Sequence, residues 1–122
     1  MTQSAAEYDQ LETAFLETAL RRVDLLRMNE PKKANREYDK LHEIKNRLRM
    51  TPDKGEAALK RIALNVNLEV KILAAASLLA VDEQFAIVLL EKIASSQAGL
   101  SSFTAEMTIR EWRSGTIRAY WS

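Results

Sequence analysis

The residues from Ile72 to Val81 carry no charge, and after the polar break Asp82-Glu83-Gln84 the run Phe85 to Leu90 is apolar again. This pattern, set within Val70–Ala94, limits the fold more than any other stretch. A membrane span needs about 20 apolar residues. Here the first run is too short, and Asp82 and Glu83 interrupt it. Two short helices, each buried on most of its faces and joined by a tight turn, satisfy the pattern. The rest of the chain must then supply the cover.

The flanking sequence is suited to that task. Three Gly and two Pro in 122 residues are too few for the tight turns of an all-β protein. Ala, Leu, Glu, Lys and Arg dominate, and all favour helix. The spacing predicts six helices, and each boundary has a local cause. Ser4 and Glu7 form a capping box, and Tyr8, Leu11, Phe15, Ala19, Val23 and Leu26 repeat at helical intervals, giving a helix over Ser4–Met28 with a Glu17–Arg21 pair on its outer side. Pro31, harmless in a first turn, opens a second helix to Arg49 that buries Ala34, Tyr38, Leu41, Ile44 and Leu48. Thr51-Pro52 repeats the device and starts a third, Pro52–Leu64, with Ala58, Leu59 and Ile62 inward and Gly55 weakening its first turn. Asn67 caps Leu68–Ala80, and Asp82 caps Glu83–Ser95. The last helix, Ser101–Arg113, carries Ala105, Ile109 and Trp112 on one side and Phe103 and Met107 on the other. Gly115 stops it, leaving residues 116–122 as an apolar tail.

The expected fold is therefore all-α, one domain over residues 1–122. Short joints suggest three antiparallel hairpins stacked as a right-handed α–α superhelix of the HEAT or armadillo kind. Asn67–Ala94 has the layout of such a repeat: a polar lead-in at Glu69-Val70-Lys71, an Ala/Leu-rich helix, an acidic turn and an apolar helix. It continues through Ile93-Ala94-Ser95-Ser96 and the joint Gln97-Ala98-Gly99 into a helix holding Met107-Thr108-Ile109-Arg110. This succession, over Glu56–Gly115, resembles the bacterial "domain of unknown function 2019" family. The resemblance implies a small helical protein with no established activity, and it assigns no site residue.

The side chains that carry chemistry are sparse. No cysteine is present, which excludes disulfides and zinc–thiolate sites. His42 is the sole histidine, so neither a zinc site of the usual type nor a helical di-iron site can be assembled, and no serine sits in a nucleophile elbow. Asp53 and Asp82 stand at helix starts, where carboxylates suit the dipole. Gly55, Gly99 and Gly115 are scattered, not clustered as a phosphate loop requires. No cofactor and no metal is expected, and the chain reads as a non-enzyme.

Binding is the remaining class. A net charge of +1 gives no general attraction to nucleic acid or to anionic membranes. The second helix is locally basic through Lys32, Lys33, Arg36, Lys40, Lys45, Arg47 and Arg49, which makes nucleic-acid binding the alternative. The leading expectation is a protein partner met by Arg110, Trp112, Arg113, Arg118, Tyr120 and Trp121, residue types enriched at interface hot spots. Phe103 and Met107 offer a homodimer contact. Size and lack of chemistry suit a cytoplasmic adaptor or an immunity protein. The first ten residues lack the basic and apolar regions of a signal peptide.

Overall fold

The computed structural model describes residues 5–48 and 52–115. Those residues are helical, without a strand, in the order α1 (Ala5–Arg27), α2 (Pro31–Leu48), α3 (Pro52–Ile62), α4 (Leu68–Leu78), α5 (Glu83–Ala94) and α6 (Leu100–Arg113). Every helix lies within about two residues of its expected limits. Ser4, Thr51 and the tail 116–122 fall outside the described residues. The chain divides into two compact units, Met1–Ile62 and Ala63–Ser122. The helices thus group three and three, where the sequence spacing suggests three consecutive pairs.

In the first unit α1 packs along α2, and α3 rests on both. The turn between α1 and α2 is closed by Asn29, whose φ of 57° is the left-handed conformation that asparagine tolerates. The Glu30 amide donates to the Leu25 carbonyl (2.9 Å) and the Asn29 amide to that of Leu26 (3.1 Å), which satisfies the last carbonyls of α1. Tyr8, Leu11, Phe15, Ala19 and Val23 are buried as their spacing requires, whereas Leu26, near the helix end, is exposed. Ala58, Leu59 and Ile62 line the inner side of α3. Gly55 is more than a weak first turn. A Cβ at this position would overlap the Leu48 carbonyl, so its bare Cα is what lets α3 come down against the end of α2.

The buried stripe of α2 differs from the expected one. It consists of Ala34, Glu37, Leu41, Lys45 and Leu48, with Glu37 and Lys45 in the places assigned to Tyr38 and Ile44. Residues 37 and 38 both neighbour Ala34 and Leu41 on a helix, so either could fill the seam. Glu37 takes it because its carboxylate is met from two sides: Arg21 Nη1 lies 3.2 Å from Oε2 and Lys40 Nζ 3.1 Å from Oε1. Arg21 therefore pairs across the helices and not with Glu17. Tyr38 sits at the flank, beneath the Arg22 guanidinium (5.3 Å) and edge-on to His42 (ring centroids 4.6 Å apart). Lys45 is buried in the seam as well, at 3% exposure.

In the second unit α4 and α6 both pack on α5. Asn67 Oδ1 accepts from the amides of Glu69 (2.9 Å) and Val70 (3.2 Å), capping α4. Asp82 Oδ1 accepts from the Phe85 amide (3.2 Å), capping α5. Each bond satisfies an amide that has no partner within the helix. Between α5 and α6, Ser102 Oγ accepts from the Ala98 amide (2.7 Å) and donates to the Ile93 carbonyl (2.9 Å), pinning the joint. Ser101 donates to Glu69 Oε1 (2.9 Å) and ties the start of α6 to the start of α4. The three helices of this unit therefore run up, down and up.

Their burial is unequal. On α4, Val70, Ile72, Ala74, Ala75, Ser77 and Leu78 are all buried, so the uncharged run is enclosed almost all round. On α5 only Ala86, Leu90 and Ile93 are buried. The expectation of two helices each buried on most faces holds for α4 and is corrected for α5. α5 has apolar residues on two sides and packs only one of them within its unit.

Candidate interaction groove

The unpacked side of α5 is one wall of a groove of about 570 Å3 within the second unit. Phe85, Val88 and Leu89 supply its apolar surface, and Leu64 from the joint before α4 adds to it. These residues are not hidden: Val88 is 49% exposed and Leu64 75%. Val66, beside the groove in sequence, is 93% exposed.

The polar residues of the groove are sorted along its length. α4 and α5 pack on each other across a short turn, closed by amides of Val81 and Asp82 that donate to the Leu78 carbonyl, so they run antiparallel. Lys71 near the start of α4 and Lys92 near the end of α5 then lie at one end. Asp82 lies at the other, its carboxylate engaged in capping. The result is an open apolar trough with ammonium groups at one end only. A shape of this size, mainly apolar with a few placed polar groups, suits a bound peptide or small molecule.

The aromatic and basic cluster expected to meet a partner is not gathered on one surface among the described residues. Trp112 is 7% exposed and belongs to the buried side of α6 with Ala105 and Ile109. Arg110 and Arg113 lie outside, engaged with Glu106 (2.8 Å) and with Glu91 on α5 (3.3 Å). Arg118, Tyr120 and Trp121 fall outside the described residues. Phe103 is exposed on the far side of α6, as its spacing requires, with Met107 partly covered.

A family model for the "Domain of unknown function (DUF2019)" matches residues 9–112, from the second turn of α1 to the last of α6. The chain belongs to the DUF2019 family. The match takes in both three-helix units, and so reaches well beyond the Glu56–Gly115 stretch on which the resemblance was read. No curated protein and no solved structure matches the chain.

In the DUF2019 chain a further depression, of about 370 Å3, lies between α1 and α2, with Glu7, Gln10, Glu43 and Arg47 around Leu11 and Ile44. Among the described residues no group of three or more His, Asp or Glu is placed to hold a metal ion. None of the described helices is long and apolar enough to cross a membrane. His42 titrates below its ordinary value of 6.5, first because partial burial disfavours its charged form and then because the Lys45 ammonium repels it; Asp39 opposes both. A neutral imidazole set against Tyr38 is thus part of the packing of α2. Of the basic residues of α2, Lys45 is buried and Lys40 is engaged by Glu37, which leaves Lys32, Lys33, Arg36 and Arg47 exposed.

The groove residues were present in the sequence reading, but as core. The signal that marks them is an excess: α5 has more large apolar residues than one buried face can use. Phe85, Val88 and Leu89 lie on a different side from Ala86, Leu90 and Ile93.

Proposed function

We propose that this DUF2019 chain is a non-enzymatic protein-interaction module, an adaptor or immunity-type protein of a bacterial cytoplasm. The observation that carries the reading is the exposed second apolar face of α5. Large apolar side chains held open beside a closed core mark a recognition surface. A homodimer contact at Phe103 and a contribution from Arg110 and Arg113 belong to the same reading.

The test is affinity capture with the full chain from a bacterial lysate, followed by titration of the purified captured protein against the purified chain in a calorimeter. Saturable one-to-one heat supports the module. Failure of every captured protein to bind when purified counts against it. Retardation of DNA or RNA at low salt, weakening steeply as salt rises, would instead favour a nucleic-acid binder acting through the exposed cations of α2.

A further inference from the structure

Resting on that reading, the geometry points to a specific occupant for the α4–α5 groove: an amphipathic peptide segment of another protein, bearing two apolar anchors and, next to them, carboxylates. The trough itself calls for apolar anchors on its occupant. Phe85, Val88 and Leu89 stand at i, i+3 and i+4, so they form one apolar strip about one helical turn long, which Leu64 extends. A strip of that kind takes side chains i and i+4 of a helix laid along it, or alternate side chains of an extended segment.

The charge of the occupant follows from what the unit does with its own cations. The basic side chains described in the second unit are Lys71, Lys92, Arg110 and Arg113. Arg110 and Arg113 each have a carboxylate within salt-bridge distance. Lys71 and Lys92 have none among the described residues, and both line the groove. Two ammonium groups left without counter-charge beside an apolar strip complement carboxylates on the ligand and repel a basic one. The opposite end carries Asp82, whose charge is already turned to the α5 amides. The groove is therefore apolar along its length and positive at one end. A helical ligand would lie with its C-terminal end, negative through its own dipole, towards Lys71 and Lys92.

A display library of peptides of about sixteen residues, panned against the full-length chain, tests this assignment. The same library is panned in parallel against Val88→Asp and against the double reversal Lys71→Glu/Lys92→Glu. All three side chains are at least partly exposed, so the variants should keep the fold; circular dichroism and melting temperature verify it. The wild type is expected to enrich sequences with an apolar pair flanked by Asp or Glu. A synthetic peptide of the best sequence should lose about tenfold or more in affinity, read by fluorescence anisotropy, on either variant. The double reversal should enrich Lys- and Arg-flanked sequences in place of acidic ones.

Enrichment without acidic bias overturns the assignment. So does binding that Val88→Asp leaves unchanged, in which case the interaction reading survives at some other surface. No enrichment at all overturns the peptide class, while the capture experiment with folded proteins still judges the module. If sedimentation shows a dimer that Val88→Asp converts to monomer, the occupant is a second copy of this chain and the proposal fails.

Discussion

Helices α2 and α4 solve the same problem with opposite materials. Both lie against neighbours within a three-helix unit. α4 buries Val70, Ile72, Ala74, Ala75, Ser77 and Leu78, and the one polar group among them, the Ser77 hydroxyl, is satisfied by the Leu73 carbonyl (2.9 Å). α2 buries Ala34, Leu41 and Leu48 but also Glu37 and Lys45. The buried faces of α4 are held by apolar area, with the Ser101–Glu69 bond added only at the helix start. Those of α2 also rely on charges whose removal from water must be offset by partners. A stripe of small and branched residues needs only shape, whereas a stripe containing a carboxylate needs Arg21 and Lys40 to arrive as well.

The sharpest way to break this contrast is to shorten a side chain in the apolar helix. Leu78 is fully buried. Leu78→Ala should cost about 3 kcal/mol in urea denaturation, through lost transfer energy and a residual cavity. A loss below about 1 kcal/mol would mean that the second unit can collapse around the gap, and its packing would be looser than the burial implies.

Gly55→Ala comes next, with an expected loss of about 2 kcal/mol or more, because a backbone carbonyl cannot give way as a side chain can. An unchanged midpoint would show that α3 does not rest on Leu48 as described.

Glu37→Met isolates the charged seam. Arg21 and Lys40 are more than half exposed and can return to solvent, so the apolar isostere should leave stability within about 1 kcal/mol of wild type, or raise it. A loss near that of Leu78→Ala would mean that the carboxylate organises the unit, and the contrast would then be one of equal dependence on different forces.

The smallest effect is at His42. Its folded-state pKa lies below 6.5, so the neutral form is favoured by folding. The stability this confers is complete above the unfolded value and is lost as pH falls through the folded one. Melting temperatures taken between about pH 7.5 and about pH 5 should fall for the wild type and fall less for His42→Gln. Parallel curves would remove His42 as a contributor.

What could be read from the sequence follows the same division. Helix limits were legible throughout because Pro31, Pro52, Asn67, Asp82 and Gly115 each act locally, on amides and dihedral angles within one turn. The faces of α1, α3 and α6 were mostly legible because their apolar spacing admits one answer, with Leu26 lost only at a helix end. On α4 the expected stripe of Val70, Leu73, Ala74, Ser77 and Leu78 gives way at Leu73, which is half-buried, while Ile72 and Ala75 are buried, because a run uncharged all round has no single preferred side. α2 was misread because Glu37 and Tyr38, like Lys45 and Ile44, are equivalent by spacing. The decision belongs to Arg21 and Arg22 on another helix. The groove was missed for the converse reason. Phe85, Val88 and Leu89 look like core by type, and nothing local to α5 states how many neighbours the unit will supply. Grouping by threes rather than pairs is likewise a property of contacts between helices, which a linear pattern does not encode.

Leu64 and Val66 stand out in solvent on a joint of a few residues, at the place where the chain divides into its two units. A protease that cuts before bulky aliphatic residues meets its preferred side chains at that seam. The boundary therefore offers a cutting site: a brief digest should nick the chain there into two pieces of nearly equal mass, and a peptide seated in the trough that Leu64 lines should slow the cut.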